Sequence, residues 1–378
     1  MAFAGLFSIA VLGCALGSWL KRVAARSKRK TLQGVEKLTL EAARGRLGGI
    51  LRSRNTRLRR ESMMMLALEG PTDVIPCHDL GSLPIGAAIK RSTGATLVWD
   101  AHEIYEEVAQ GDASYAAHCR ELLRQYQRDV DHFITINDSI AGFYRANYPA
   151  LPPAIIVKNA APYTPHIEYD GRMHDACHIP RTQKIALYQG GFAEKRGLRL
   201  LVQAAEFLNP DWTLVMMGWG KLEAELREMG DHINANLPGR PAPAVAFLPA
   251  ANHAELVYWT AGGTVGLIPY ENVGLNHLFC TPNKLWEYPA AGVPILCSPL
   301  VELSKAVYEN GIGWLLPDVA APRAIATTIN GLTTQALKDA SRACEAYMRR
   351  DNWAIYGARV VELYENVGNQ LSRNVAAA

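Results

Sequence analysis

The sequence predicts an α/β protein that consists of two parallel-sheet domains. From residue 70 onward, short apolar runs alternate with helical stretches, which is the pattern of parallel strands joined by crossover helices. A length of 378 residues suits two such domains of ordinary size. The segment 159–183 is irregular and contains several prolines, so we expect a linker between the domains there.

The first predicted domain covers residues 61–165. Its strand-like runs are DVIPC at 73–77, TLVWD at 96–100, HFITI at 132–136 and AIIVK at 154–158. Helices are predicted over 116–130 and 139–148. Ser139 is a suitable N-cap for the second of these helices.

The second predicted domain covers residues 180–345 and restarts with the apolar run KIALYQG at 184–190. Further strands are predicted over 212–218, 245–249, 264–269 and 293–298. Helices are predicted over 197–208, 221–229, 252–260, 283–291 and about 320–335. The tail 337–372 also has a helical pattern, and we treat 346–378 as a separate C-terminal helical segment.

The composition is that of an ordinary globular enzyme, with 49% hydrophobic and 20% charged residues. Seven cysteines are scattered without C-x-x-C spacing, which favours a reducing compartment and excludes a disulfide framework or a zinc-finger-like cluster. Asp129 and Asp131 match the DxD pattern of metal-using transferases. They lie at a predicted helix end, so we interpret them as solvated charge and expect no metal.

The charge is unevenly distributed along the chain. Residues 21–60 contain fourteen Lys or Arg and two acids, a net charge of +12, whereas the whole chain carries +3. The remainder therefore carries a net charge of −9. A basic arm on an acidic body predicts an anionic surface as partner. The basic run has no aromatic residue for base stacking, so membrane lipid fits better than nucleic acid.

An apolar segment of 19 residues, 2–20, precedes the basic run. As a helix it would be about 28 Å long at ~1.5 Å per residue, against a hydrocarbon core of ~30 Å. Trp19 stands where an interfacial aromatic residue would, next to Lys21 and Arg22. Three interpretations stay open: a membrane anchor or in-plane helix, which we favour, a buried element of the first domain, and a cleaved signal peptide.

The sequence TPNKLWEY at 281–288 predicts a binding site for a nucleotide diphosphate. Thr281 or Asn283 can cap the helix that starts here, and a helix N-terminus suits a phosphate. Lys284 adds a formal positive charge. Glu287 lies about one turn further along, where a carboxylate can accept two hydrogen bonds from a vicinal diol such as a ribose.

The sequence YQGGFAEKRG at 188–197 lies between a predicted strand and a predicted helix. Gly190 and Gly191 remove side chains where a backbone must approach a ligand closely. Arg196 enters at the helix start, where a guanidinium can bind a diphosphate through two hydrogen bonds. Lys195 is the alternative at this position.

In the first domain, polar residues follow the ends of the predicted strands. His102 and Glu103 come after the strand LVWD, at the carboxyl edge where open α/β sheets bind ligands. One of this pair can act on an acceptor hydroxyl. His78 and Asp79 end the preceding strand at the same edge, and Asp79 is the predicted acceptor contact. Asn137 and Asp138 end another strand and are interpreted as helix caps.

These motifs together resemble the GT-B glycosyltransferases, particularly the large retaining family 4, over roughly residues 73–364. The family's donor-site signature is similar to PNKLWEYPAAGVP at 282–294. Further motifs in the family's order are HDLGSLPIGAAI (78–89), LVWDAHEIYEE (97–107), ITINDSIAGFY (134–144), VKNAAPY (157–163), LYQGGFAEKRGLRLLVQAA (187–205) and VMMGWG (215–220).

The resemblance implies roles for individual residues. Arg196 occupies the family's basic phosphate-binding position, and His102 that of a histidine beside the donor sugar. Leu248 lies at the end of the strand whose backbone usually meets the base. It also implies retention at the anomeric carbon, no metal cofactor, and a C-terminal helix that crosses back to the first domain.

The sequence departs from the family in two places. The first acid of the usual Glu-x7-Glu pair would fall at Phe279, so only Glu287 remains. The usual N-terminal strand with its Gly-rich loop is not visible in residues 1–70.

We therefore predict a glycosyltransferase with a nucleotide-sugar donor and a lipid-linked or surface-polysaccharide acceptor, located at the cytoplasmic face of a membrane. Two alternatives stay open: a non-catalytic GT-B subunit that tethers a partner at the membrane, and a sugar-nucleotide epimerase on the same fold.

Overall fold

The computed structural model describes residues 62–65, 70, 72–109, 111–165, 167–317 and 321–377. The predicted apolar and basic arm, residues 1–60, lies outside the described residues. Within the described part of the chain, no helix is both long and apolar enough to cross a membrane. Residues 72–378 form one compact unit, and this unit contains two parallel sheets, as the sequence predicts.

The first sheet has four parallel strands in the order β1-β2-β3-β4. The strands are β1 (Val74–His78), β2 (Thr96–Ala101), β3 (His132–Thr135) and β4 (Ala154–Ile156). The helices that connect them are α1 (Asp79–Thr93), α2 (Ala113–Tyr126) and α3 (Asp138–Asn147). His78 pairs with Asp100 in the β1–β2 register, so both side chains lie at the carboxyl edge of the sheet.

Large aromatic side chains form the core of this sheet. Trp99 stacks on Phe133 with ring centroids 5.2 Å apart, and Tyr144 packs edge-on against both rings. Helix α1 approaches β1 so closely that a Cβ at Gly86 would meet the Cys77 sulfur. A glycine is therefore required at that position.

The sequence predicts Asn137, Asp138 and Ser139 as caps of α3, and the prediction is confirmed for Asn137 and wrong for Ser139. Asn137 is the N-cap, and its Oδ1 accepts a hydrogen bond from the Ile140 amide at 2.9 Å. The Ser139 hydroxyl instead donates to Glu302 at 2.6 Å. Ser139 is the second residue of the helix, two positions beyond the N-cap.

The second sheet has six parallel strands in the order β10-β9-β8-β5-β6-β7. They are β5 (Lys184–Gly191), β6 (Trp212–Trp219), β7 (Val245–Leu248), β8 (Val265–Ile268), β9 (Ile295–Cys297) and β10 (Gly313–Leu315). Alternate residues of β5 belong to different hydrophobic clusters, so both faces of the sheet are covered. This explains why its strands read as continuous apolar runs.

The helices of this half follow the strands. They are α4 (Arg172–Cys177), α5 (Leu198–Ala204), α6 (Glu223–Asn236), α7 (Leu256–Thr260), α8 (Leu275–Leu278), α9 (Lys284–Ala290), α10 (Val301–Asn310) and α11 (Pro322–Asn330). The sequence did not predict β10, α8 or α10. It predicted 159–183 as irregular, but this segment contains the short helix α4.

The C-terminal tail forms two helices, α12 (Thr334–Arg350) and α13 (Trp353–Ala377). The turn between them contacts both halves of the compact unit. Asp351 accepts hydrogen bonds from the Trp286 indole at 2.8 Å and from Lys158 at 2.6 Å. On α13, Arg359 donates to the Ile156 carbonyl at the end of β4. The last helix therefore lies against the first sheet.

Asp129 and Asp131 lie at the amino edge of the first sheet, away from the strand ends that carry the predicted site residues. Asp129 forms an ion pair with Arg91 at 2.7 Å, and Asp131 pairs with Lys90 at 2.6 Å. Asp131 also accepts the Leu97 amide hydrogen bond. These aspartates are ion-paired rather than solvated, because α1 presents two cations to them.

Candidate functional site

A cavity of about 420 Å³ opens at the carboxyl ends of β5 and β6, next to the first turn of α9. Of the predicted donor-binding residues, Gly190, Arg196, Asn283, Lys284 and Glu287 line it. The structure therefore brings the two sequence motifs, YQGGFAEKRG and TPNKLWEY, together around one cavity.

Gly190 and Lys284 are fitted to each other. Gly190 has a φ of +122°, and a Cβ there would lie 2.7 Å from the Lys284 ammonium nitrogen. The backbone conformation therefore favours glycine, and a side chain there would displace the lysine ammonium. Gly191 is under no such constraint, since the nearest atom to a Cβ there would be 4.0 Å away.

Lys284 is only 6% exposed. Its ammonium donates a hydrogen bond to the Tyr270 hydroxyl at 3.3 Å and lies over the Tyr188 and Tyr270 rings. Among the described residues, no carboxylate lies within ion-pair distance of it. Burial, aided by the nearby Arg196 charge, lowers the pKa of Lys284 to about 8.

Arg196 shares the same tyrosine. Its guanidinium donates to the Tyr270 hydroxyl at 2.7 Å and lies 5.1 Å from the ring centroid. Two cations therefore converge on one phenol at the wall of the cavity. Lys195 has a left-handed backbone with φ +64°, its carbonyl accepts the Glu271 amide, and it is not among the cavity-lining residues.

Glu287 is held by residues that the sequence reasoning did not single out. The Gln189 side-chain amide donates to Glu287 Oε2 at 2.9 Å, and the Thr260 hydroxyl donates to the Gln189 oxygen at 2.8 Å. Gln189 and Thr260 are both buried. The sequence feature that could have indicated Gln189 is its position as a polar residue at the end of the apolar run KIALYQ. The amide fixes the carboxylate on the cavity wall.

The start of α9 differs from the expected cap. Asn283 makes no side-chain capping hydrogen bond, and the Thr281 hydroxyl accepts a long hydrogen bond, 3.4 Å, from Asn137. Helix α9 has only seven residues, so the positive charge at the cavity comes mainly from the Lys284 and Arg196 side chains.

Leu248, predicted near a base, is buried in the core. The cavity is instead lined by Ala250 and Ala251, which follow β7, and by Leu256 on α7. This part of the wall is apolar and begins two residues beyond the position that the sequence indicates.

A second group of polar residues lies at the carboxyl edge of the first sheet. Asp100 Oδ2 is 3.0 Å from His102 Nε2 and 3.0 Å from His78 Nδ1. The hydrogen bond to Asp100 is the main cause that raises the pKa of His102. The sequence analysis named His102 but missed Asp100. Asp100 is the last residue of the apolar run LVWD, so it was interpreted only as part of a strand.

Asp79 supports His102 from the other side. It has a left-handed backbone with φ +62°, a conformation that aspartate tolerates better than most residues. Its Oδ1 accepts a hydrogen bond from the Tyr105 hydroxyl at 2.8 Å and lies 3.9 Å from His102 Nδ1. Partial burial and the neighbouring Asp79 raise the pKa of Glu103.

The two groups are linked through the segment 274–281. Asn276 Oδ1 accepts the Ile104 amide at 3.1 Å, and the Phe279 carbonyl accepts the Asn137 side-chain amide at 2.8 Å. Phe279, which occupies the position of the absent acid, thus contributes its backbone to the contact between the sheets. The His102 loop and the donor cavity are neighbours along this segment.

Comparisons with known proteins agree with this architecture. Residues 183–335 match the sequence profile of a family described as glycosyl transferases group 1. This range contains every residue that lines the cavity. A comparison with curated protein sequences gives no significant match.

Several solved structures share the fold. Sucrose-phosphate synthase from Thermosynechococcus elongatus has a TM-score of 0.65 and 17% identity, covering 82% of this chain and 77% of that chain. Anabaena HepE, in complex with UDP and glucose, has a TM-score of 0.63 and 14% identity, covering 81% of each chain. An α,α-trehalose-phosphate synthase (UDP-forming) from Burkholderia xenovorans, in complex with glucose-6-phosphate, has a TM-score of 0.62 and 13% identity, covering 81% and 76%.

At these identities the solved structures establish the fold alone. The chain has the GT-B fold, and its residues 183–335 match the family of group 1 glycosyl transferases.

Proposed function

We propose that this protein transfers a sugar from a nucleotide-diphosphate donor to a glycan or lipid-linked acceptor. The observation that carries the proposal is the pair of cations on the wall of the 420 Å³ cavity, Lys284 and Arg196. A buried charge is costly unless it is paired. Lys284 is bonded to a neutral phenol and lies beside a second cation, so an anion in the cavity would stabilise both.

A nucleoside diphosphate matches the remaining features of the cavity. Its diphosphate would lie against Arg196 and Lys284, with the Gly190 backbone close by. Glu287, held by Gln189, would accept hydrogen bonds from the ribose hydroxyls. The apolar wall at Ala250 and Ala251 would then contact the base. The dimensions of the cavity fall within the range of small-ligand sites.

In the reaction, the bond between the anomeric carbon and the diphosphate oxygen breaks, the acceptor oxygen bonds to that carbon, and the proton of the acceptor hydroxyl passes to the leaving diphosphate. The leaving diphosphate takes the electron pair, and the Lys284 and Arg196 charges stabilise it electrostatically. We propose that no metal ion is needed for this step. The resemblance to family 4 enzymes supports retention at the anomeric carbon.

The acceptor would approach from the first sheet, where His102 lies between Asp79 and Asp100. We propose that His102 orients the acceptor hydroxyl, with Glu103 and Asp79 beside it. The net charge of +12 over residues 21–60, after an apolar segment, supports a lipid-linked or surface-polysaccharide acceptor at an anionic membrane surface.

Product analysis with a labelled nucleotide sugar distinguishes this proposal from its alternatives. Transfer of label to an acceptor supports the glycosyltransferase. An isomerised donor would indicate the epimerase. Donor binding without any product would favour the non-catalytic subunit, which is motivated by the missing first acid at position 279 and by the missing Gly-rich loop.

Replacing Glu287 with Ala is expected to weaken nucleoside-diphosphate binding by roughly 1.5–3 kcal/mol, the contribution of a hydrogen bond to a charged group. Isothermal titration calorimetry measures the change. Glu228→Ala, at an exposed position on α6, is the control and should bind normally. Unchanged affinity in a folded Glu287 variant would remove this residue from the donor site.

Arg196→Ala should reduce turnover about tenfold or more, because the leaving diphosphate loses one of its cations. Arg199→Ala removes an arginine whose ion pairs are with Glu194 and Glu225 on the surface, so it should retain activity. EDTA should leave wild-type turnover unchanged. Loss of activity in EDTA with recovery in Mn²⁺ would contradict the metal-free mechanism.

His102→Ala should reduce transfer by about 100-fold, the order expected when a group that positions a reactant is lost, and leave nucleoside-diphosphate affinity intact. The reason is that His102 lies on the first sheet, whereas the cavity is built by the second. Turnover and calorimetry are compared in the same preparation, with the exposed His118→Ala as control. An equal fall in affinity and activity would show that the assignment is wrong.

Lys284→Met should abolish diphosphate binding and yet stabilise the unliganded protein at pH 7. The lysine pKa falls from 10.5 to about 8 on folding, so the unfolded chain holds the proton more tightly. At ~1.4 kcal/mol per pKa unit, the charge opposes folding by roughly 3.5 kcal/mol below pH 8.

Between pH 8 and 10.5 the folded chain has released the Lys284 proton, whereas the unfolded chain still holds it. Wild-type stability therefore rises with pH over this interval, and the advantage of the Met variant should shrink. Urea unfolding across pH measures it, with the exposed Lys338→Met as control. A Met variant that is less stable than wild type at pH 7 would refute the argument.

The intact chain should float with phosphatidylglycerol liposomes at low and at high salt, because the apolar segment inserts and each nearby cation adds about 1 kcal/mol at an anionic surface. A variant that lacks residues 1–20 should bind at low salt and be released at high salt. Intact protein that stays at the bottom of the gradient under both conditions would refute membrane association.

A further inference from the structure

The cluster of His78, Asp100 and His102 offers three metal-ligand atoms at one point of the first sheet. Asp100 Oδ2 lies 3.0 Å from a ring nitrogen of each histidine, and the three ligand atoms lie within 4.8 Å of one another. We propose that these residues bind a divalent transition-metal ion, and that an ion bound there blocks sugar transfer because it occupies His102.

The donor set selects the kind of ion. Two imidazole nitrogens and one carboxylate oxygen suit Zn²⁺ and its neighbours, whereas Mg²⁺ and Ca²⁺ prefer oxygen ligands. Ligands ~2.1 Å from a tetrahedral ion are ~3.4 Å from each other. The two separations from Asp100 Oδ2, 3.0 Å each, are close to that spacing. Three protein ligands would leave the fourth position open to the cleft.

The surroundings of the cluster support an ion. The side chains of His78 and His102 are 67% and 40% exposed, so an ion can reach them, whereas that of Asp100 is 19% exposed. The strand register between β1 and β2 fixes His78 beside Asp100. To bind the ion, the three side chains need only rotate, and the two ring nitrogens that face Asp100 must be unprotonated.

A second carboxylate lies behind His102. Asp79 Oδ1 is 3.9 Å from His102 Nδ1, and the Tyr105 hydroxyl holds it in place. A carboxylate behind a coordinating imidazole orients the ring and raises its basicity. At 3.9 Å this contact is electrostatic rather than a hydrogen bond, and a small closure of the loop would complete it.

The blocking effect rests on the proposed function, whereas the binding of the ion does not. If His102 Nε2 coordinates an ion, the ring cannot at the same time orient the acceptor hydroxyl. His78 has no part in the proposed transfer, so its replacement separates the two roles. A metal-free mechanism is compatible with this site, because the ion inhibits and is not required.

The binding test uses the full chain and Zn²⁺ alone, measured by calorimetry and equilibrium dialysis without donor or acceptor. We expect one ion per chain at this cluster and at least tenfold weaker binding in His78→Ala. His118→Ala, which removes an exposed histidine on α2, should bind as wild type does. Equal Zn²⁺ affinity in wild type and in a folded His78 variant would overturn the site.

The activity test follows transfer while Zn²⁺ is titrated. Wild-type turnover should fall in proportion to occupancy and return with EDTA. His78→Ala should have normal turnover without metal and should need at least tenfold more Zn²⁺ for the same inhibition. Full occupancy with undiminished transfer would overturn the blocking effect. Absence of transfer in metal-free wild type would refute the proposed function and leave the binding result intact.

Discussion

The donor half of the molecule is organised around a buried lysine that has no ion-pair partner among the residues that the structure describes. Lys284 is surrounded by Tyr188, Tyr270 and the Gly190 backbone, and its charge is disfavoured strongly enough to lower its pKa to about 8. The Lys284 ammonium lies over Gly190, at the place where a side chain would be. Tyr270 hydrogen-bonds to both Lys284 and Arg196. The local fold therefore maintains a disfavoured charge that an external anion would stabilise.

The two cations also explain why Glu287 is held in place by hydrogen bonds from behind the cavity wall. A carboxylate near two cations would pair with them if it were free to move, and the site would close on itself. Glu287 is instead held by the Gln189 amide, which the Thr260 hydroxyl orients in turn. The neutral chain of hydrogen bonds keeps acid and cations apart, so each remains available to a different part of a ligand.

A few hydrogen bonds between residues far apart in the sequence connect the two sheets. Asp351 joins Lys158, two residues beyond β4, to Trp286 on α9, the helix that also carries Lys284 and Glu287. The segment 274–281 then connects the cavity to the His102 loop. A shift of α9 would therefore be transmitted both to the C-terminal helices and to the first sheet.

The sequence predicts the parallel strands well because both faces of each sheet are covered. Residues such as Ile185 and Leu187 face one core and their neighbours the other, so the strands are continuous apolar runs. Strand β10 has only three residues and lacks that signal. Helix α1 contains Pro84 and two glycines, and one of these, Gly86, is required by packing against Cys77 rather than favoured by helix propensity.

The site is less predictable, for a physical reason. Lys284, Arg196 and Glu287 are recognisable because charged residues stand out beside apolar and glycine-rich segments. Gln189 and Asp100 are hidden, since each is the polar end of a strand and looks like part of it. Their importance lies in which neighbour the sheet register supplies: Asp100 faces His78 through β1–β2 pairing, and Gln189 meets Thr260, 71 residues away. Register and long-range packing are properties of the folded chain, and no local pattern encodes them.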